Sequence, residues 1–178
     1  DYKTANIGKY VNSPETEIYD KSRSLYGIYF AKSEMSRQDK CYLVEGYLDV
    51  LSMHQLGITN VVASSGTSLT VPQIRLIKKF TNNVTIMYDG DAAGIHAALR
   101  GIGLVLKEGM NVRVVLIPDG DDPDSYSRKH NLEEVQDFLS RNEQDFITYK
   151  TDLLLAQVGN DPLKRADLIN DIADTIAL

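Results

Sequence analysis

Asn83-Val-Thr-Ile-Met-Tyr-Asp-Gly-Asp-Ala-Ala-Gly94 decides the fold. Its first half is a run of apolar and β-branched residues, the pattern of a buried strand, and it stops abruptly at Asp89 and Asp91, separated by one glycine. The small residues that follow, Ala92, Ala93, Gly94, Ala97 and Ala98, let a helix begin at once and lie close to a sheet. Ligands of open α/β sheets collect outside the carboxyl ends of strands. Carboxylates two residues apart in a tight turn can face one hard cation, and magnesium favours such oxygen donors together with substrate phosphates. Asp-Gly-Asp is equally ordinary turn chemistry, so the pair by itself supports either reading.

Moving outward, Cys41-Tyr-Leu-Val-Glu45 is a second apolar run ending in an acid, and Gly46-Tyr-Leu-Asp49 carries another acid into a helical pattern. Val112-Arg-Val-Val-Leu-Ile-Pro118 is a third such run, followed by Asp119-Gly-Asp-Asp-Pro-Asp124. In a parallel sheet these three strand ends gather their acids along one edge. Like charges in partly desolvated sites cost several kcal/mol, and a divalent cation is the natural relief.

Val44-Glu-Gly-Tyr-Leu-Asp49, Tyr88-Asp-Gly-Asp-Ala-Ala-Gly94 and Asp122-Pro-Asp124, in this order and spacing, resemble the TOPRIM motifs of bacterial DNA primases. Lys9-Tyr-Val-Asn-Ser-Pro-Glu-Thr16 and Leu25-Tyr-Gly-Ile-Tyr29 resemble the primase segment just ahead of that domain. Topoisomerases, RecR-like proteins and nucleases of the same fold share the acids but not the Asn-Ser-Pro-Glu-Thr stretch or the Tyr after Glu-Gly.

The resemblance implies an α/β, Rossmann-like TOPRIM fold with a mostly parallel sheet flanked by helices and an α-helical C-terminal subdomain. Residues 1–38 become the end of the N-terminal part of a primase core, 39–130 the TOPRIM domain and 131–178 the start of the helical subdomain. The implied activity is metal-dependent nucleotidyl transfer, making short RNA primers on a single-stranded DNA template from ribonucleoside triphosphates. Glu45, Asp89 and Asp91 are the implied catalytic residues. Glu45, Asp49, Asp89, Asp91, Asp122 and Asp124 are the implied ligands of Mg2+, with Mn2+ as a substitute. Glu45 is either a ligand of a second ion or a general base, and Asp49 either a supporting ligand or an outer acid. Lys9 and Lys21, with Asn12 and Ser13, match positions that handle nucleotide or template phosphates, although surface lysines are usually only solvated. A replicative helicase is implied as a partner through a region that has no counterpart here, as have the zinc-binding head and most of the basic N-terminal half.

Composition fits these expectations. The chain has 178 residues, 43% hydrophobic and 25% charged, and a net charge of −6 that argues against a broad DNA-binding face. Cys41 is the single cysteine, which excludes an intrachain disulfide and places a thiol in an apolar strand. No membrane-length apolar run or signal peptide is present, so a cytoplasmic monomer with no membrane contact is expected. The chain starts without Met and stops inside a periodic apolar stretch, which points to a piece of a longer protein.

The remaining pattern predicts a short helix over Ser24–Ala31, a helix over Tyr47–Leu56 capped by Gly57, and a strand over Asn60–Ala63. Ser64-Ser-Gly-Thr-Ser68 is either a phosphate-holding loop or plain loop chemistry, and Thr70-Val-Pro-Gln73 fits a capping box. Asp119 and Asp121 read as solvated. After Asn131, which can cap a helix with Glu134 three residues on, strand signals vanish and helices follow over Leu132–Leu139, Phe146–Val158 and Leu163–Ile176. Other readings of the acids are a TOPRIM-type topoisomerase or nuclease, a phosphoacceptor or phosphatase domain, and a noncatalytic metal-binding module. A topoisomerase needs a tyrosine nucleophile, and a phosphoacceptor needs a lysine at a strand end, where this chain has acids.

Overall fold

Runs with no inside–outside alternation suit strands covered on both faces, and the sheet has that character. The computed structural model describes residues 13–64, 68–89, 101–118, 120–158 and 162–177. Cys41–Val44 (β1), Val61–Ala63 (β2), Asn83–Asp89 (β3) and Asn111–Ile117 (β4) pair in parallel, and Gln144–Asp145 (β5) adds antiparallel to β4. The five strands lie in the order β2-β1-β3-β4-β5. Every residue of β1 and β2 is buried.

Successive strand residues feed opposite faces of the sheet. Leu43, Val62, Ile86 and Val114 pack with Ala31 and Met35 of α1 (Ile28–Gln38), Ile74 and Ile77 of α3 (Val71–Lys78), and Ile102 and Val105 of the helical residues 101–107 (α4). Phe146, which opens α7 (Phe146–Val158), joins this cluster. On the other face Tyr42, Val44, Met87 and Val115 pack with Val50 and Met53 of α2 (Tyr47–Leu56) and with Val135 and Leu139 of α6 (Leu132–Asn142). The short helix α5 (Pro123–Lys129) lies against α2, and α8 (Pro162–Ile176) against α7.

The local signals for α2, α3 and α6 hold. Gly57 closes α2 in the left-handed region at φ 112°, Thr70 and Gln73 form the expected box at the start of α3, and Asn131 and Glu134 form another at α6. The helix expected over Ser24–Ala31 is displaced. It begins at Ile28, after Gly27 at φ 83°, because Tyr26 instead exchanges backbone hydrogen bonds of 2.9 and 3.1 Å with Ala63 at the edge of β2. A Cβ on Gly27 would sit 2.9 Å from Val50 Cγ1, so only glycine allows this approach. The expectation of no strand beyond Asn131 is corrected by β5, whose two residues are too few to carry any periodicity.

Glu143 anchors α6 to the amino ends of the strands. Its side chain is 7% exposed and accepts hydrogen bonds from Lys40 Nζ at 2.8 Å, Arg113 Nη1 at 3.3 Å and the Thr85 hydroxyl. Burial alone raises a carboxyl pKa, but the Lys40 and Thr85 hydrogen bonds and the Lys40 and Arg113 charges outweigh it and hold Glu143 below the usual range. Glu143→Ala, which leaves the Thr85 hydroxyl buried without its acceptor, is expected to cost about 2 kcal/mol in urea unfolding at neutral pH. A carboxyl depressed in the folded state stabilises fully above its unfolded pKa of about 4.3, and that contribution fades as pH falls through the folded value. The stability gap between the parent chain and Glu143→Gln should therefore shrink as pH drops below about 4.3; a gap that is constant with pH counts against the ionic anchor.

Candidate functional site

The strand order places the site. From β1 the chain moves outward to β2, and from β3 it moves the other way to β4, so a crevice opens at the carboxyl ends of β1 and β3. Glu45 directly follows β1 and is exposed. Carrying the pairing of Leu43 with Ile86 forward sets Glu45 level with Tyr88. Burial pushes the Tyr88 phenol well above its ordinary pKa, and the Glu45 charge raises it further. Asp89 ends β3 opposite Ile117 of β4. Only its backbone is described, and Asp91 lies outside the described residues.

Asp49 has a defined place. It is 8% exposed in the first turn of α2, with Oδ2 accepting the Gly46 N–H at 2.9 Å and Oδ1 accepting the Asp124 N–H at 3.1 Å. A Cβ on Gly46 would lie 3.1 Å from Asp49 Oδ2, which accounts for glycine after Glu45. The carboxylate thus ties the Glu45 turn to the start of α5.

The third acidic segment is cross-linked as well. Asp122 caps α5 by accepting the Ser125 N–H at 2.7 Å. Asp124 accepts from the Ser52 hydroxyl and pairs with Arg128 at 2.8 Å. Asp121, expected to be solvated, instead pairs with Lys129 at 2.5 Å and accepts from Ser125 Oγ at 2.8 Å. The Lys129 and Ser125 hydrogen bonds hold its carboxyl below the usual range. Asp119 lies outside the described residues.

Among the described residues no group of three or more His, Cys, Asp or Glu side chains is close enough to hold a metal ion, a set that omits the Asp89 side chain and Asp91. Topology nevertheless brings Glu45, Asp49, the end of β3 and the start of α5 to one edge, all with hard oxygen donors.

Of the residues matched to phosphate handling, Ser13 is exposed and Lys21 sits in a 3-10 turn, Lys21–Arg23. Its carbonyl accepts from Gln73 Nε2 at 2.9 Å. Lys9 and Asn12 lie outside the described residues, as does the middle of the Ser64–Ser68 loop. Cys41 is fully buried and burial pushes its thiol pKa up, in keeping with an inert side chain. His54 sits 3.4 Å from the Val61 carbonyl, a packed histidine. Sequence reading missed a groove of about 380 Å³ walled by tyrosines between α1 and α2. The tyrosines at 19, 26, 29 and 47 were visible, but not the fold that gathers them.

Replacing Asp49 tests its bracing. Asp49→Ala strands two backbone N–H groups and should cost about 2–3 kcal/mol in chemical unfolding without metal. Asp49→Asn keeps one acceptor but turns an amide NH2 toward the second N–H, so it should fall between. If Asp49→Asn instead stabilises the metal-free chain, the residue is a repelled ligand and not a brace.

Comparison with known proteins follows the same lines. A Toprim-like family profile matches residues 42–127. The DNA primase of Staphylococcus epidermidis is 40% identical over 155 residues, covering 87% of this chain and 26% of that protein. A DNA primase domain from Pseudomonas aeruginosa superposes with a TM-score of 0.87 at 32% identity, over 97% of this chain and 55% of that one. A DnaG primase catalytic domain bound to ssDNA superposes with a TM-score of 0.83 at 36% identity, over 94% and 56%. The chain thus spans about a quarter of the length of the curated relatives it matches. With a Toprim-like profile match, the same fold and sequence matches along most of its length, the chain belongs with the bacterial DNA primases, as the TOPRIM-containing part of their catalytic core.

Proposed function

We propose that this chain is the metal-binding part of an enzyme that makes short RNA primers on single-stranded DNA from ribonucleoside triphosphates, in the cytoplasm, during replication. The observation that carries this is the convergence of Glu45, the end of β3 and the start of α5 at the reversal of strand order. All the donors there are carboxylate oxygens, which suit Mg2+, with Mn2+ as a substitute. When bound, such ions neutralise triphosphate charge and stabilise the attacking and departing oxygens of an in-line displacement.

The remaining work falls to the chain. We assign Asp89 and Asp91 as the metal-binding carboxylates after the central strand, and Glu45, exposed just past β1, as the residue that holds an ion or accepts the proton of the attacking 3′-hydroxyl. Asp124 and Asp122 complete the acidic edge from α5, with Arg128 tempering the charge of Asp124. Asp49 keeps the two sides of this edge in register. Lys9 and Lys21, with Asn12 and Ser13, are assigned to nucleotide or template phosphates, Lys9 and Asn12 from outside the described residues. A DnaG relative is bound to ssDNA, which supports that template class. A replicative helicase is proposed as a partner through a region without counterpart in this chain.

Mn2+ should bind the chain, as followed by electron paramagnetic resonance, and raise its melting temperature by mass action. Asp89→Ala combined with Asp91→Ala should remove both effects. In a complete catalytic core containing this chain, Asp89→Asn and Glu45→Gln should each slow dinucleotide synthesis at least roughly a hundredfold, a loss of about 3 kcal/mol of transition-state stabilisation. Template affinity, measured by fluorescence anisotropy, should stay within a factor of about two, because it comes from cationic contacts to phosphate. Near-normal synthesis by Asp89→Asn, or loss of template binding in its place, overturns the assignment.

A further inference from the structure

The groove between α1 and α2 has no part in the chemistry above. It encloses about 380 Å³, within the range of small-molecule and nucleotide pockets, and Tyr19, Tyr26, Tyr29, Phe30 and Tyr47 line it together with Lys21. Tyr26 packs edge-on against Tyr47 with ring centroids 4.7 Å apart, so the inner wall is aromatic. The outer wall is open: Tyr29 is 71% exposed and Phe30 76% exposed, large apolar surfaces that helix α1 need not display for its own packing. Lys32 Nζ lies 4.5 Å from the Tyr29 ring centroid and adds positive charge at the rim.

We propose that this groove seats an unpaired base of the single-stranded template, stacked on the Tyr29 and Phe30 wall, with Lys21 meeting the adjoining phosphate. The inference rests on the primase reading and names where that template lies. Three features favour a base. Exposed aromatic rings interleaved with lysines are how single strands are held without regard to sequence, since every base has a π-face. Tyr47 stands two residues after Glu45, so the groove opens beside the acidic edge, as a template must. That edge repels phosphates, which favours a strand that turns its bases toward the groove and its backbone toward Lys21.

The test uses the 178-residue chain and a short oligodeoxynucleotide carrying 2-aminopurine, without metal or nucleotide, so it does not depend on the acids. Tyr29→Ala and Phe30→Ala should each weaken binding roughly fivefold or more and restore 2-aminopurine fluorescence quenched by stacking. The salt dependence of binding should stay unchanged in these variants, whereas Lys21→Ala should lower its slope by about one. Tyr29→Phe should bind like the parent chain, and on an abasic strand of equal length Tyr29→Ala should make no difference. Absence of binding to the base-containing strand, or equal losses on the abasic strand, overturns the proposal. Displacement of the quenched base by free ribonucleoside triphosphate assigns the groove to the nucleotide and also overturns it. Self-association in sedimentation velocity that Phe30→Asp abolishes would make the groove a protein contact. Failure of the primase reading shows elsewhere, as synthesis indifferent to Asp89 and Glu45.

Discussion

Parallel pairing of β1 with β3 is the constraint from which the site follows. The two strands are neighbours in space but not in sequence, and the sheet extends from them in opposite directions, which puts a crevice at their shared carboxyl end. Glu45, just past β1, and Asp89, at the end of β3, are thereby brought to one edge of the sheet. Acids placed there repel, and the fold absorbs the cost with local braces. Asp49 spends its carboxylate on two backbone amides, while Arg128 and Lys129 lie against the acids at the start of α5.

Much of this was legible before any coordinates. Buried parallel strands write themselves as unbroken apolar runs, and β1, β3 and β4 end in acids so abruptly that both the fold class and the acidic edge can be read together. Helix boundaries at Gly57 and Asn131 were readable because their caps are short-range chemistry. The start of α1 was not, because Tyr26 is held by Ala63, far along the chain, and local pattern favours helix there. The bracing by Asp49 was hidden for the same reason, since its second donor comes from Asp124. The Asp124–Arg128 pair, at helical i,i+4 spacing, could have been anticipated.

The two ends of the sheet are built on opposite electrostatic terms. At the amino ends Glu143 is enclosed by Lys40, Arg113 and Thr85, a carboxylate fully compensated and used to fasten α6. At the carboxyl ends the acids are tied down piecemeal, Asp49 by two backbone amides and Asp124 and Asp121 by the exposed cations Arg128 and Lys129. One fold thus uses the same functional group as a single buried rivet at one rim and as a row of smaller braces at the other.

The sheet is also closed at both sides by very small pieces of antiparallel chain. Tyr26 bonds to Ala63 along β2, and the two residues of β5 bond to β4. Open strand edges invite pairing with another molecule, and short, strongly bent cover segments are a standard defence against it. Here the cover is brief: among the described residues Tyr26 takes Ala63 on one flank, and a two-residue strand takes Arg113 and Val114 on the other. Each contact interrupts the run of backbone groups that another strand would need, so an incoming strand meets a broken template at either flank and not a full-length one.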